Sequence, residues 1–139
     1  MRLITFISTG AFIVLSAFAM KSQNEKKQTS LYETKWLLRK IYTSTGEEEI
    51  NTKAFIKFHK DKQSAGGNGS CNSFGSDFSI DLNKISFKNI FSTKMYCEGV
   101  QQTENTFFKL LSEVNRFKIQ EKSLQLFNDK DLLLEFVSE

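Results

Sequence analysis

Three side chains in this sequence are suited to soft-metal or nucleophilic chemistry: Cys71, Cys97 and His59. A structural zinc site made of cysteine and histidine takes four ligands, so these three cannot complete one. A nucleophilic cysteine needs a base beside it. The lone histidine falls on the outward phase of a strand with Lys57, so the bland reading is a surface strand residue. Gly66-Gly67-Asn68-Gly69-Ser70 resembles a phosphate cradle only superficially. A P-loop ends in Gly-Lys-Ser/Thr and runs into a helix. Here Ser70-Cys71-Asn72 follows and strand-like sequence comes next. The expected role of the run is a bend or bulge in an antiparallel sheet. Asn128-Asp129-Lys130-Asp131 lacks the twelve-residue ligand set and closing glutamate of a calcium loop, and reads as a hairpin turn. No catalytic, metal-binding or cofactor-binding residue is assigned, and no enzymatic activity is expected.

Charge narrows the partners. The chain carries 19 basic and 16 acidic residues, a net +3. The lysines are scattered, without a basic patch interleaved with aromatics, so nucleic acid is not an expected partner. No proline occurs anywhere, which excludes PxxP ligands, proline-rich linkers and collagen-like segments.

The elements that must position the cysteines read mostly as strands. Trp36 and Leu38 share a face of a first strand, although Leu37 and Ile41 leave helix as an option. Ala54, Ile56 and Phe58 alternate with Phe55, Lys57 and His59. Phe78, Ile80 and Leu82 alternate with Ser79 and Asp81, and an Asn83-Lys84 turn leads to Ile85 and Phe87. Phe117 and Ile119, Leu124 and Leu126, and Leu132, Leu134 and Phe136 repeat the pattern. Alternation means half-buried strands with one wet face, hence an antiparallel sheet. One segment differs. Phe107, Leu110, Leu111 and Val114 lie at i, i+3, i+4 and i+7, with Val100 seven residues earlier, which is one helical stripe. Glu98 and Glu104 sit toward its start, where the helix dipole favours negative charge. The fold class is α+β: seven or eight antiparallel strands packed on one helix. Most phenylalanines fall on the inward phase. Phe55 and Phe108 do not, and are candidates to cover a ligand or partner.

Residues 1–19 read as a secretory signal peptide. Arg2 precedes an apolar run from Leu3 to Phe18, and Ala17-Phe18-Ala19 matches an A-x-A cleavage pattern. The alternative is an uncleaved anchor. Cleavage after Ala19 would leave a periplasmic or secreted protein with no membrane span. Ser22–Ser30 has no apolar residue, so residues 20–31 are expected to be a flexible segment, and the folded domain spans 32–139. In an oxidising compartment an even cysteine count favours a Cys71–Cys97 bridge, stabilising by roughly 3–4 kcal/mol in the chain-entropy model. Two buried free thiols, or a reactive thiol, are the alternatives.

Gly69-Ser70-Cys71-Asn72-Ser73-Phe74, the hairpin around Phe78-Ser79-Ile80 and Ile85-Ser86-Phe87, and Thr93-Lys94-Met95-Tyr96-Cys97 resemble the META domain, or HslJ-like, family. Trp36-Leu37-Leu38 fits its opening strand, and Phe107 to Leu111 fits its helix. The resemblance implies a mixed antiparallel half-barrel on a helix, in envelope-associated or secreted bacterial proteins, some linked to heat shock and antibiotic tolerance. Related domains occur in trypanosomatid virulence and motility proteins. It carries over Gly69, Cys71, Asn72, Thr93, Met95 and Cys97 as structural motif residues, and no catalytic residue. Asn72 is expected to satisfy backbone groups at its own bend. Ser70 departs from the family, where a glycine is usual, and Gly75-Ser76 shifts the next expected glycine. The functional expectation is an exported, non-enzymatic domain in stress tolerance that binds a protein or an envelope component. The alternative is a carrier of a lipid or other hydrophobic small molecule in an apolar cavity between helix and sheet.

Overall fold

Alternating apolar residues build nine antiparallel strands and one helix in the computed structural model, which describes residues 27–139. The expected signal peptide, and most of the segment after it, lie outside the described residues. The strands are β1 (Lys35–Thr43), β2 (Gly46–Glu49), β3 (Phe55–His59), β4 (Ser64–Asn68), β5 (Ser73–Asp81), β6 (Lys84–Ser92), β7 (Arg116–Gln120), β8 (Ser123–Asn128) and β9 (Asp131–Ser138). Helix α1 (Gln101–Glu113) interrupts them between β6 and β7. The sheet order is β2-β1-β3-β4-β5-β6-β7-β8-β9, and β1 also pairs with β9. The sheet therefore curls back on itself. The ring is thinnest between β6 and β7, which share one register position, Lys84↔Arg116. Where further β6–β7 pairing stops, α1 packs along β6 and β9. This is the antiparallel α+β arrangement that the alternation implies, and the half-barrel on one helix that the family resemblance implies.

The nine strands exceed the expected seven or eight, and two of them have no legible alternation. β2 is Gly-Glu-Glu-Glu and fully exposed, so it carries no apolar alternation to read. It exists because the β1 backbone templates it, from Lys40↔Glu49 to Thr43↔Gly46. β4 corrects part of the reading of the glycine run as a bend or bulge: Gly69-Ser70 do lie in the bend before β5, but Gly66 and Gly67 lie inside a strand paired with both β3 and β5. Flanking chains press so close that a Cβ on Gly67 would fall on the Phe55 carbonyl, and one on Gly66 within 2.8 Å of the Phe74 carbonyl oxygen. The turn between β5 and β6 is also displaced. Asp81 pairs with Lys84, leaving Leu82-Asn83 at the tip. Leu82 is 90% exposed at a positive φ of 55° and leaves the inward row assigned to it.

Trp36, Phe58, Phe107 and Phe136 are fully buried in the core, with Leu38, Ile41, Ile56, Leu111, Leu124, Leu126 and Leu134 around them. Phe58 meets Phe78 edge to face at 5.3 Å, and Phe107 meets Phe74 likewise at 5.5 Å. The Trp36 indole donates to the Leu31 carbonyl at 3.0 Å, so its polar edge is satisfied inside the core. Leu31 is itself buried. Gln28 and Thr29 donate to the Ile119 and Glu121 carbonyls. The α1 stripe buries Phe107, Leu110, Leu111 and Val114 as expected.

Candidate functional site

The motif residues converge where the β4–β5 bend meets the start of α1. The Ser70 amide donates to Asn68 Oδ1 at 2.8 Å, and the Gly69 amide to the Asn72 carbonyl at 2.9 Å, which closes the bend. Gly69 is buried under the helix. A Cβ there would come within 2.5 Å of the Phe108 ring and 2.8 Å of Glu104 Oε2, so any side chain would have to displace one or both. Ser70 sits at φ 118°, a region glycine occupies at least cost.

Asn72 is 2% exposed and uses its whole side chain. Its Nδ2 donates to the Met95 carbonyl at 2.9 Å and to Glu104 Oε1 at 2.5 Å. Its Oδ1 accepts from the Met95 amide and from Thr93 Oγ1, both at 2.8 Å. The primary amide thus pairs with the Met95 peptide as a neighbouring strand would. Its expected service to its own bend gives way to this longer reach. The bend's outstanding donors go elsewhere: the Cys71 and Asn72 amides both donate to Glu104 Oε2, at 2.9 and 2.6 Å. Cys71 and Cys97 form a disulfide with 5.8 Å between their Cα atoms. The segment from Thr93 to Cys97 is therefore held at both ends and in the middle.

Glu104 was absent from the sequence-derived set, although a signal for it existed. It lies four residues after Val100 and three before Phe107, on the apolar stripe itself. A carboxylate there must find internal donors. It is 2% exposed and finds three.

A surface groove of about 360 Å³ opens beside this cluster, lined by Met95, Tyr96, Gln101, Glu104, Asn105 and Phe108 among others. Phe108 packs on Phe74 and Phe107 at one wall. Tyr96 and Met95 stand 78% and 61% exposed at its edge. A wider cleft of about 1110 Å³ lies across α1, between Tyr42, Thr45, Lys109, Glu113, Lys130 and Leu133. Asn105 lines both. Desolvation raises the Tyr42 phenol above its usual range, and the neighbouring Glu135 carboxylate, which accepts its hydroxyl at 3.2 Å, adds to the shift.

The remaining candidates stand elsewhere. His59 Nδ1 lies 3.1 Å from Glu33, which also pairs with Lys57 at 3.3 Å. Desolvation works to raise the Glu33 carboxyl. Hydrogen bonds and charge from Lys57 and His59 outweigh it and leave the group below the ordinary carboxylate value. Asn115 grips the Asn128–Asp131 turn through Asn128 Oδ1, Asp129 Oδ1 and the Asp129 amide. Phe55 lies against the Lys35 ammonium at 5.1 Å. Among the described residues, no three His, Cys, Asp or Glu side chains converge as a metal set would.

A family model described as the META domain matches residues 29–139. No curated protein matches the chain. An NMR structure of a protein from Burkholderia xenovorans superposes with a TM-score of 0.66 at 21% identity, covering 78% of this chain and 83% of that one. A second NMR structure superposes at 0.56 with 19% identity, covering 75% of this chain and 88% of the other. Both are similar in fold.

Proposed function

The chain belongs to the META domain family, a stress-related, envelope-type family, and on that premise we propose an exported, non-enzymatic domain that binds a protein or an envelope component. The Cys71–Cys97 disulfide carries the reading. Such bonds persist in oxidising compartments and are rare in the cytosol. Binding is favoured over catalysis by how the polar groups are used. The Asn72 amide is fully occupied, and the Glu104 carboxylate takes three hydrogen bonds from backbone and from Asn72. Both cysteines are spent in the bridge. His59 faces Glu33 rather than a thiol. Fully buried aromatics fill the space between helix and sheet, which favours a surface site over an interior one.

The test uses the full chain with a carboxy-terminal tag. Fractionation, intact mass and thiol titration are expected to find it in the envelope or the medium, beginning at Met20, with no titratable thiol after denaturation. Capture from the envelope fraction, with mass analysis of protein and lipid, is expected to return a saturable partner. A cytosolic chain with two free thiols would overturn the reading. Co-purified lipid in stoichiometric amount would replace it with the carrier.

A further inference from the structure

We propose that the groove between Met95-Tyr96 and the first turns of α1 binds a neutral saccharide. The proposal deepens the binding reading above and rests on it.

Exposed loops that carry large apolar side chains are ordinarily mobile. This one is pinned. Asn72 holds the Met95 peptide through both its N–H and its C=O, and the disulfide holds Cys97. Tyr96 is nonetheless 78% exposed, so a rigid aromatic face is presented to solvent at one edge of the groove. Preorganised aromatic surface lowers the entropic cost of binding. Phe108 supplies a second ring on the wall. Apolar ring faces are what the carbon face of a sugar needs.

The polar groups select hydroxyls. A carboxylate offers about four acceptor positions. The Glu104 carboxylate takes three hydrogen bonds, two at Oε2 and one at Oε1, and lines the groove. One acceptor position at Oε1 remains for a ligand donor. Asn105 accepts from Gln101 Nε2 at 3.1 Å through Oδ1, which leaves its NH₂ as a donor at the rim. Lys94, also on the lining, disfavours a cationic ligand, and Glu104 disfavours an anionic one. A neutral molecule that donates to Glu104, accepts from Asn105 and stacks on Tyr96 is a polyol ring. The volume of about 360 Å³ falls in the small-ligand range. Because Asn105 also lines the wider cleft, an oligosaccharide has a path across α1.

The experiment is an amide-resolved NMR titration of the oxidised full chain with chitotetraose, cellotetraose and maltotetraose. The expected result is saturable shifts at Tyr96, Gln101 and Asn105 with at least one of them. Tyr96→Ala and Asn105→Ala remove exposed side chains. Each is expected to keep the native melting temperature and weaken binding roughly tenfold or more. Absence of shifts with all three sugars at about 10 mM overturns the proposal. So does binding that Tyr96→Ala leaves unchanged, or binding only to phosphatidylglycerol vesicles. Envelope capture by native chain and Tyr96→Ala alike would leave the binding reading standing without this site. Loss of capture by the native chain would end both.

Discussion

Glu104 and Glu33 are the same acid in opposite settings. Glu33 has two nitrogen partners, Lys57 and His59, and lies at the surface. Among the described residues Glu104 has no cationic partner, and it is 2% exposed, beneath two backbone amides and one side-chain amide. Counting opposite charges would rank Glu33 first. Burial reverses the order. Water competes for the surface pair and salt screens it. The donors facing Glu104 are buried or part-buried, so removing it leaves them without their partner. The Glu104 site also joins three pieces of chain: the β4–β5 bend, the Thr93–Cys97 segment through Asn72, and α1.

The largest effect should come from that site. Glu104→Ala is expected to cost about 3 kcal/mol, since it leaves the buried Asn72 backbone N–H, the part-buried Cys71 N–H and one Asn72 side-chain N–H unpaired. Urea unfolding monitored by far-UV circular dichroism reads it. A loss under 1 kcal/mol would show that water replaces the carboxylate, and the contrast with Glu33 would collapse. Asn72→Asp sharpens the same point without changing shape. It sets a second carboxylate against Glu104 Oε1, so the variant should be strongly destabilised at neutral pH and regain stability on acidification.

Next is the disulfide. Cys71→Ser is expected to cost about 3 kcal/mol, within the range of chain-entropy arguments for a loop of this size. A fall of roughly 10 °C in melting temperature should accompany it, with an unchanged circular dichroism spectrum. Asn72 keeps its hold on Met95, so the Thr93 and Met95 amides should remain protected from hydrogen exchange. Their loss of protection would mean that the bridge, not Asn72, places the segment.

A much smaller effect is expected at Glu33. Its folded value lies below the unfolded 4.5. Its contribution is therefore complete above that value and lost as pH falls through the lower folded one. Glu33→Gln should melt close to wild type at pH 7, slightly below it, and the two curves should merge under acid. A gap that widens on acidification contradicts this sign. Ser70→Gly should move stability least. Relief of backbone strain at φ 118° is offset by glycine's extra unfolded entropy and by the lost Ser70–Thr52 hydroxyl contact at 2.7 Å. A net change within about 1 kcal/mol is expected in the same urea assay.

Much of the fold was legible because alternation survives wherever one face is buried. The row Ala54, Ile56, Phe58 and the stripe Phe107, Leu110, Leu111, Val114 all face the core. The misreadings share a cause. β2 has no apolar residue and β4 is glycine-rich, so neither encodes its own pairing. Leu82 is apolar, yet the two-residue turn needs its position more than the core does. In the candidate site, Cys71, Asn72, Thr93, Met95 and Cys97 were identifiable from the family pattern. Glu104 was discounted as a dipole-favoured acid near a helix start.

By itself the sequence determined the class of fold, the inward rows and which two segments carry the motifs, because these follow from local periodicity and residue type. Only tertiary structure decided that Asn72 grips Met95, that Glu104 collects the Cys71 and Asn72 amides, and that Tyr96 stands exposed beside them. Each of these depends on distances between groups more than 20 residues apart, apart from the Tyr96 exposure, which follows from the same closure. Hydrogen bonding fails within an ångström or so of its optimum, and no local pattern carries that information.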